Sequence, residues 1–143
     1  MSFLLLSLIL LTGSGLAALA CGRRPALAAW TAASGACAAC LLGLAPVIRV
    51  LSGSPPEALR WPWPVPFGSF SVELDALSAF FLLPILILSA LASVYGIEYM
   101  AGHSKKKNTG PSWFFYNLTV AGMVLVVLAR NAVLFLAAWG IMA

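Results

Sequence analysis

The chain has 143 residues, of which 62% are hydrophobic and only 8% are charged, and its mean hydropathy is +1.02. A water-soluble domain of this length needs far more polar surface, so this composition excludes one. The formal net charge of +4 does not indicate a nucleic-acid partner, because the eight basic residues are scattered in short groups and form no basic face.

Four uncharged apolar runs are long enough to cross a bilayer as helices. About 20 residues cross a hydrocarbon core roughly 30 Å thick, at about 1.5 Å of rise per residue. The sequence therefore predicts an all-α, polytopic transmembrane helix bundle that forms a single membrane domain over residues 1–143, with helices at about 3–20, 26–51, 77–100 and 113–129. The runs are Met1–Gly22, Pro25–Ile48, Ala76–Ile97 and Asn108–Ala129, of 22 to 24 residues each.

The first two helices are predicted to pack against each other as a helical hairpin. Small residues recur at every fourth position of the second helix, a spacing that lets two helix backbones approach closely in lipid. The two series are Ala32, Ala36 and Cys40, and Gly35, Ala39 and Gly43.

The alternative for the first run is a lipoprotein signal that is cleaved before Cys21. A signal sequence carries Lys or Arg before its apolar core, whereas here Arg23 and Arg24 follow the core and no basic residue precedes it. The charge pattern therefore favours a retained helix.

Residues 52–75 are predicted to form an extended loop outside the membrane, because five prolines exclude a helix there. The segments Trp61–Val65 and Phe70–Leu74 alternate in polarity around a turn at 66–69, which predicts a hairpin. An irregular loop is the alternative. Trp61 and Trp63 suit the headgroup level of the membrane.

Asp75 is predicted to cap the third helix by accepting the backbone N–H of Ser78. Within this helix, Pro84 removes the hydrogen-bond donor to the carbonyl of Phe80 and predicts a kink. A polar connection at 102–111 follows.

The fourth helix is predicted to carry Trp113 and Tyr116 as anchors at the membrane interface.

The basic residues predict the orientation of the chain. Five lie in the first and third connections (Arg23, Arg24 and 105–107), and three lie in the other two (Arg49, Arg60 and Arg130). The positive-inside bias then makes the first and third connections cytoplasmic and places the amino terminus outside the cell membrane. The three lysines are expected to contact anionic lipid.

A fifth apolar run, Asn131–Ala143, has only 13 residues, and a very short outer turn at Arg130 and Asn131 leads into it. A helix of this length crosses about two thirds of a bilayer, and a free carboxylate inside lipid is costly. We therefore expect an incomplete fifth helix at 132–143 and a longer parent polypeptide.

Four features are candidates for chemistry, and each also has a structural interpretation. Cys37 and Cys40 have the spacing of a redox or metal pair, but they lie in mid-span without acidic or histidine neighbours, so packing is favoured. His103 lies beside lysines, and a solvated position is favoured over a proton relay. Asn117 begins a glycosylation triplet within a membrane helix, where the match is coincidental.

Glu98 is the remaining candidate, near the cytoplasmic end of the third helix. An interface anchor is favoured over a member of an ion path, because a carboxylate at this depth reaches headgroup water.

The chain has three cysteines, Cys21, Cys37 and Cys40, and this odd number predicts no disulfide framework. No catalytic, cofactor-binding or metal site is predicted in the chain.

Four ordered stretches resemble the amino-terminal part of antiporter-like membrane subunits. This family is found in respiratory complex I, in hydrogenase-4 and formate hydrogenlyase, and in multisubunit cation/proton antiporters, and the chain resembles the hydrogenase-4 component B branch in particular. The stretches are Phe70–Phe81, Ser93–Met100, Asn117–Met123 and Asn131–Trp139.

The resemblance implies a role in ion translocation coupled to electron transfer, with other membrane and peripheral subunits and the lipid bilayer as partners and with redox cofactors bound by those subunits. In this family a glutamate that takes part in proton movement normally follows the residue at the position of Trp139, whereas this chain has Gly140 there. The fragment alone is therefore expected not to pump protons. A small, self-contained membrane scaffold or assembly protein is the alternative.

Overall fold

The computed structural model describes residues 1–62, 69–103 and 108–142. The first four helices in these ranges are long and apolar enough to cross a membrane, and the fifth is shorter. This architecture confirms the predicted all-α polytopic bundle. In chain order the elements are α1 (Ser2–Ala20), α2 (Pro25–Leu51), β1 (Glu57–Pro62), β2 (Ser69–Leu74), α3 (Ala76–His103), α4 (Gly110–Leu128) and α5 (Ala132–Met142).

The connections between helices lie at two opposite ends of the bundle. At the end that we call the hairpin end, the amino group of Met1 pairs with Glu57 in β1, and the N–H of Arg130 donates to the carbonyl of Ser71 in β2 at 2.8 Å. At the other end, here called the Arg23 end, the connection 21–24 contacts the start of α4. The helices therefore run alternately up and down through the bundle.

Helix α2 packs against both α1 and α3, while α1 also packs against α4. The contact between α1 and α2 uses the small residues predicted for it, since Ala32, Ala36, Ala39 and Cys40 are fully buried. Helix α5 lies at the edge of the bundle, and it packs on α4 and on β2. The predicted helical hairpin of α1 and α2 is thus confirmed.

Trp113 is buried, with only 4% of its surface exposed, so the prediction that it anchors α4 at the membrane interface is wrong. Its indole packs among alanines of α1 and α2, namely Ala18, Ala28, Ala29 and Ala32. The small side chains of α1 and α2 leave a space at the Arg23 end that a large ring fills, and burial within the bundle therefore replaces exposure to headgroups.

Helix α4 begins at Gly110, three residues before the predicted start at Trp113. Pro111 lies in the first turn, where its missing N–H would have no partner within the helix in any case, and its fixed φ suits a helix start.

Pro84 lies inside α3 and Pro46 inside α2, and both helices continue past these residues. A kink at Pro84 stays a prediction.

The segment between α2 and α3 forms an antiparallel β-hairpin, as the sequence predicted. Its register pairs Glu57 with Leu74 and Trp61 with Phe70, and its first strand begins at Glu57, earlier than the predicted Trp61. The predicted turn at 66–69 and Trp63 lie outside the described residues, except for Ser69. Val72 also forms an isolated bridge with Ala129, so the hairpin rests on the junction between α4 and α5.

Gly110 permits the close contact between α4 and the first connection, and its replacement by alanine tests that contact. An added Cβ would lie 2.8 Å from the carbonyl oxygen of Ala18 and 2.9 Å from the Cα of Gly22. Because both neighbours are backbone atoms, we expect Gly110→Ala to reduce the free energy of unfolding by about 1–3 kcal/mol, the usual cost of overpacking. Reversible unfolding in mixed micelles measures the change.

Gly13→Ala is the matched control, because a Cβ at Gly13 in α1 meets no atom within 4 Å. The free energy of unfolding of this variant should equal that of the parent chain or be slightly higher. Equal stability of the two variants would contradict the close contact at Gly110.

Candidate functional site

Charged side chains are almost absent from the described helices. Of the Asp, Glu, Lys and Arg residues in them, Arg49 lies in the last turn of α2 and Glu98 lies in α3. Polar chemistry in the described part of the chain is therefore of two kinds. Uncharged contacts lie inside the bundle, and a charged cluster lies at the hairpin end.

Asn117 is the most deeply buried amide of the interior, with no exposed surface. Its Nδ2 donates to the Oγ of Ser14 in α1 at 2.9 Å and to the carbonyl of Ala32 in α2 at 3.4 Å. Its Oδ1 has no hydrogen-bond partner among the described residues. One amide thus joins three helices, because Asn117 itself belongs to α4.

Close backbone packing makes these bonds possible. Gly35 of α2 lies directly against Ser14, in a place where a Cβ would overlap the serine side chain. The absence of a side chain at Gly35 therefore lets α1 and α2 come near enough for the Asn117 amide to reach both.

A second set of uncharged contacts joins α3 to α2 and α4. The Sγ of Cys37 lies 3.2 Å from the Oγ of Ser93, which donates to the carbonyl of Ala90 at 2.7 Å. The hydroxyl of Tyr116 donates to the carbonyl of Ser89 at 2.5 Å. Hydroxyl, thiol and amide groups of this kind hold helices in register. The interior sets contain no carboxylate, ammonium or imidazole group that could hold a proton in transit.

The charged cluster at the hairpin end is centred on Arg130, in the turn between α4 and α5, and we call it the Arg130 cluster. Arg130 Nη2 lies 2.5 Å from Asp75 Oδ2, and its Nε lies 3.6 Å from Glu73 Oε2. Nη2 also approaches the Oγ of Ser78 at 3.5 Å. The three charged side chains are each about one third exposed, so solvent weakens the ion pairs and the cluster acts through several contacts together.

Asp75 caps α3, as predicted, because its Oδ1 accepts the N–H of Ser78 at 2.8 Å. This backbone hydrogen bond is the first cause of a lowered pKa for the Asp75 carboxyl, and the Ser78 hydroxyl and the Arg130 guanidinium beside it act in the same direction. The Ser78 hydroxyl also donates to the carbonyl of Val127 at 3.1 Å. The start of α3 is therefore tied to the end of α4.

Asn131 extends this junction to α5. Its Oδ1 accepts the N–H of Val133 at 2.9 Å, and its Nδ2 donates to the Oγ of Ser69 in β2 at 3.3 Å. The sequence predicted a short turn at Arg130 and Asn131 but not these contacts. Asn directly before an apolar run is a helix-cap signal that could have indicated the role of Asn131.

The predicted candidates lie apart from one another. Cys40 is in the core, and Cys37 contacts Ser93. Glu98 is exposed on the surface of α3. His103 is the last residue of α3, and its side chain lies outside the described residues, as do the three lysines at 105–107.

Gly140 lies on the open side of α5. A Cβ built at this position meets no atom within 4 Å, and the neighbouring Trp139 is half exposed and 5.9 Å from Phe135, between ring centres. A larger side chain at position 140 would therefore point away from the other described helices of this chain.

Comparisons with known proteins agree with the resemblance noted in the sequence. Residues 66–109 match the family described as NADH-ubiquinone oxidoreductase (complex I), chain 5 N-terminus. The chain is 32% identical to hydrogenase-4 component B of Escherichia coli (strain K12) over 77 residues, which cover 54% of this chain and 11% of that protein.

A solved structure shows the same fold. It is a chain of the membrane-bound sulfane sulfur reductase, an archaeal respiratory membrane complex, with a TM-score of 0.62 and 22% identity over 95% of this chain and 21% of that one. The chain thus spans about a tenth to a fifth of the length of the relatives that it matches. Together these findings confirm the similarity to antiporter-like membrane subunits.

The cap and the ion pair of Asp75 can be separated by two substitutions. Asp75→Asn keeps an oxygen that accepts the Ser78 N–H but loses the charge that faces Arg130, so it should cost at most about 1 kcal/mol. Asp75→Ala removes both interactions and should cost about 1–2 kcal/mol. The free energy of unfolding, measured in mixed micelles, should be highest for the parent chain, lower for Asp75→Asn and lowest for Asp75→Ala. Glu98→Ala, which removes an exposed carboxylate from α3, is the control and should change little, and a loss for Asn equal to that for Ala would contradict the capping role.

The lowered pKa of Asp75 predicts how its contribution depends on pH. A carboxyl whose pKa is lower in the folded chain than its ordinary value of 3.8 stabilises the fold above that value and loses this effect as pH falls through the lowered pKa. The stability difference between the parent chain and Asp75→Asn should therefore stay constant from about pH 7 to pH 5 and shrink below about pH 4. Unfolding midpoints measured over this range test the sign, and a difference that grows in acid would contradict it.

Proposed function

We propose that this chain, which is similar to antiporter-like membrane subunits, forms the amino-terminal helices of such a subunit in a membrane-bound oxidoreductase complex. The parent complex would couple electron transfer to ion translocation, and other membrane and peripheral subunits would carry its redox cofactors. The observation that carries the proposal is the match of the central segment, residues 66–109, to the chain 5 N-terminus family. The identity to hydrogenase-4 component B and the fold shared with the archaeal complex support it.

The distribution of charge indicates what these helices contribute to such a complex. Protons cross a membrane protein along titratable side chains or ordered water, and intramembrane Lys, Glu and His residues mark such paths. In the described helices the interior polar groups are amide, hydroxyl and thiol, and Glu98 is exposed. We therefore assign these helices a packing role beside the conducting helices of the parent subunit. The fragment alone would not move protons.

The same proposal assigns an orientation. The amino terminus and the hairpin end would face the outside of the cell membrane, and the Arg23 end would face the cytoplasm, because the first and third connections hold five of the eight basic residues.

The packing of α1 supports its retention over cleavage before Cys21. Leu4, Leu11 and Ala18 of α1 are fully or almost fully buried, and Gly15 lies against Asn117. Removing α1 would expose this face of α2 and α4 and would leave the Asn117 amide without Ser14. The lipoprotein alternative therefore requires the loss of a core helix.

Purification at native abundance tests the assignment to a complex. The chain, tagged at its chromosomal locus and extracted in a mild detergent, should migrate on native gels far above its mass of 15.0 kDa. Mass spectrometry of that band should find further polytopic subunits together with redox subunits. Migration as a free monomer or as a homo-oligomer, without redox subunits, would contradict the proposal and favour the scaffold alternative.

Flux measurements test the proposed division of labour. Membrane vesicles that hold the complex should acidify their lumen when an electron donor is supplied, and vesicles from cells that lack the chain should lose most of this signal. The purified chain in liposomes should give the proton leak of empty liposomes under an imposed potential. Proton flux through the purified chain would contradict the packing role.

A further inference from the structure

We infer that a groove at the Arg23 end binds an anionic phospholipid from the adjacent leaflet. The groove has a volume of about 160 Å³ and lies between the start of α2, the end of α3 and the residue before α4. We call it the Thr109 groove. Its lining consists of Pro25, Ala26, Ala29, Trp30, Ile97, Met100, Ala101 and Thr109.

Thr109 supplies the first sign of a ligand. Only 4% of its surface is exposed, and its Oγ1 has no hydrogen-bond partner among the described residues. A buried hydroxyl without a hydrogen-bond partner costs free energy, so buried hydroxyls are usually hydrogen-bonded to protein, water or a ligand. Because Thr109 lines the groove, its hydroxyl would donate a hydrogen bond to a phosphate or ester oxygen of a lipid seated there.

The starts of α2 and α4 both lie beside the groove. Neither Arg24 before α2 nor Thr109 before α4 makes a side-chain cap, although the N–H of Gly110 in α4 donates to Asn108 Oδ1 at 3.0 Å. The free N–H groups of a first helical turn, together with the helix dipole, favour a negative ligand.

The charges at this end also favour an anion. Its charged residues within the described ranges are Arg23, Arg24 and Glu98, of which the two arginines directly precede the groove-lining Pro25. The other three acidic residues of the chain, Glu57, Glu73 and Asp75, lie at the hairpin end. The Arg23 end is thus positive where the headgroup of a lipid would lie.

The apolar wall of the groove points to a lipid instead of a free anion. Trp30 lines it with 62% of its surface exposed, and its neighbours Ala26, Ile97 and Met100 are apolar. A Trp at the level of headgroups buries its ring against acyl chains. A second groove, of about 180 Å³ between α3 and α4, shares Met100 and contains the buried Trp113, whose Nε1 also has no partner among the described residues. Both grooves therefore offer an apolar surface beside an unused hydrogen-bond donor.

Native mass spectrometry of the full chain in detergent measures this binding directly. Phosphatidylglycerol and phosphatidylcholine with identical acyl chains serve as probes, and the anionic lipid should be retained several-fold more strongly. Thr109→Val keeps the shape of the side chain but removes the hydroxyl, and it should weaken phosphatidylglycerol binding about tenfold, the loss of one hydrogen bond to a charged group. Thr119→Val is the matched control, because the hydroxyl of Thr119 in α4 already donates to the carbonyl of Phe115. This variant should bind the lipid like the parent chain.

A second pair of variants keeps the test independent of Thr109. Ala26 is exposed and lines the groove, so Ala26→Phe should fill it and reduce lipid binding several-fold while the fold persists. Ala38→Phe, at an exposed position of α2 away from the groove, should leave binding unchanged.

Three results would overturn the inference. One is equal retention of the two lipids, which indicates only general lipid contact. Another is parent-like binding by both Thr109→Val and Ala26→Phe. The third is displacement of the lipid by inorganic phosphate at equal concentration, which would make the groove a site for free anions.

Discussion

The fold depends on how closely its helices can approach one another. In a bilayer the hydrophobic effect does not draw one apolar helix to another, so association relies on close packing and on hydrogen bonds between helices. Here the close approach occurs at small residues, where Gly35 meets Ser14 and Gly110 meets Ala18. The amide of Asn117 can join α1, α2 and α4 only because the first of these contacts brings the backbones together.

The hairpin end has a different source of stability. A two-stranded hairpin is marginal by itself in water, and this one is held by its contacts with the helices. Val72 bridges to Ala129, the carbonyl of Ser71 accepts the N–H of Arg130, and Arg130 also faces both carboxylates, Glu73 and Asp75. The turn between α4 and α5 is therefore fixed by the hairpin, and the hairpin is fixed by the turn.

Local signals in the sequence were enough to predict the helices, the Asp75 cap and the presence of a hairpin, because run length, capping and proline act over a few residues. Contacts between distant segments were not predictable in this way. Trp113 has the composition of an interface anchor, yet the alanines of α1 and α2 make a space that buries it. The interhelical bonds of Asn117 were not predicted, although a lone amide in an apolar helix is itself a sign of such a bond. The partners of Arg130 could not be identified without knowing that β2 and α3 meet the end of α4.

The two ends of the bundle differ in how their charged groups are paired within the described residues. At the hairpin end, Arg130 faces two carboxylates, Asp75 caps α3 and Asn131 caps α5, whereas α1 begins at Met1 without a side-chain cap. At the Arg23 end, α2 begins without a side-chain cap, Asn108 accepts the first N–H of α4, and the hydroxyl of Thr109 is buried without a partner among the described residues. Burying a polar group without a hydrogen bond costs free energy, so a group that bonds to the Thr109 hydroxyl, such as the proposed lipid, would stabilise the fold. The hairpin end is therefore a joint held by ion pairs within the chain, whereas the Arg23 end carries the groove that we propose as a lipid site.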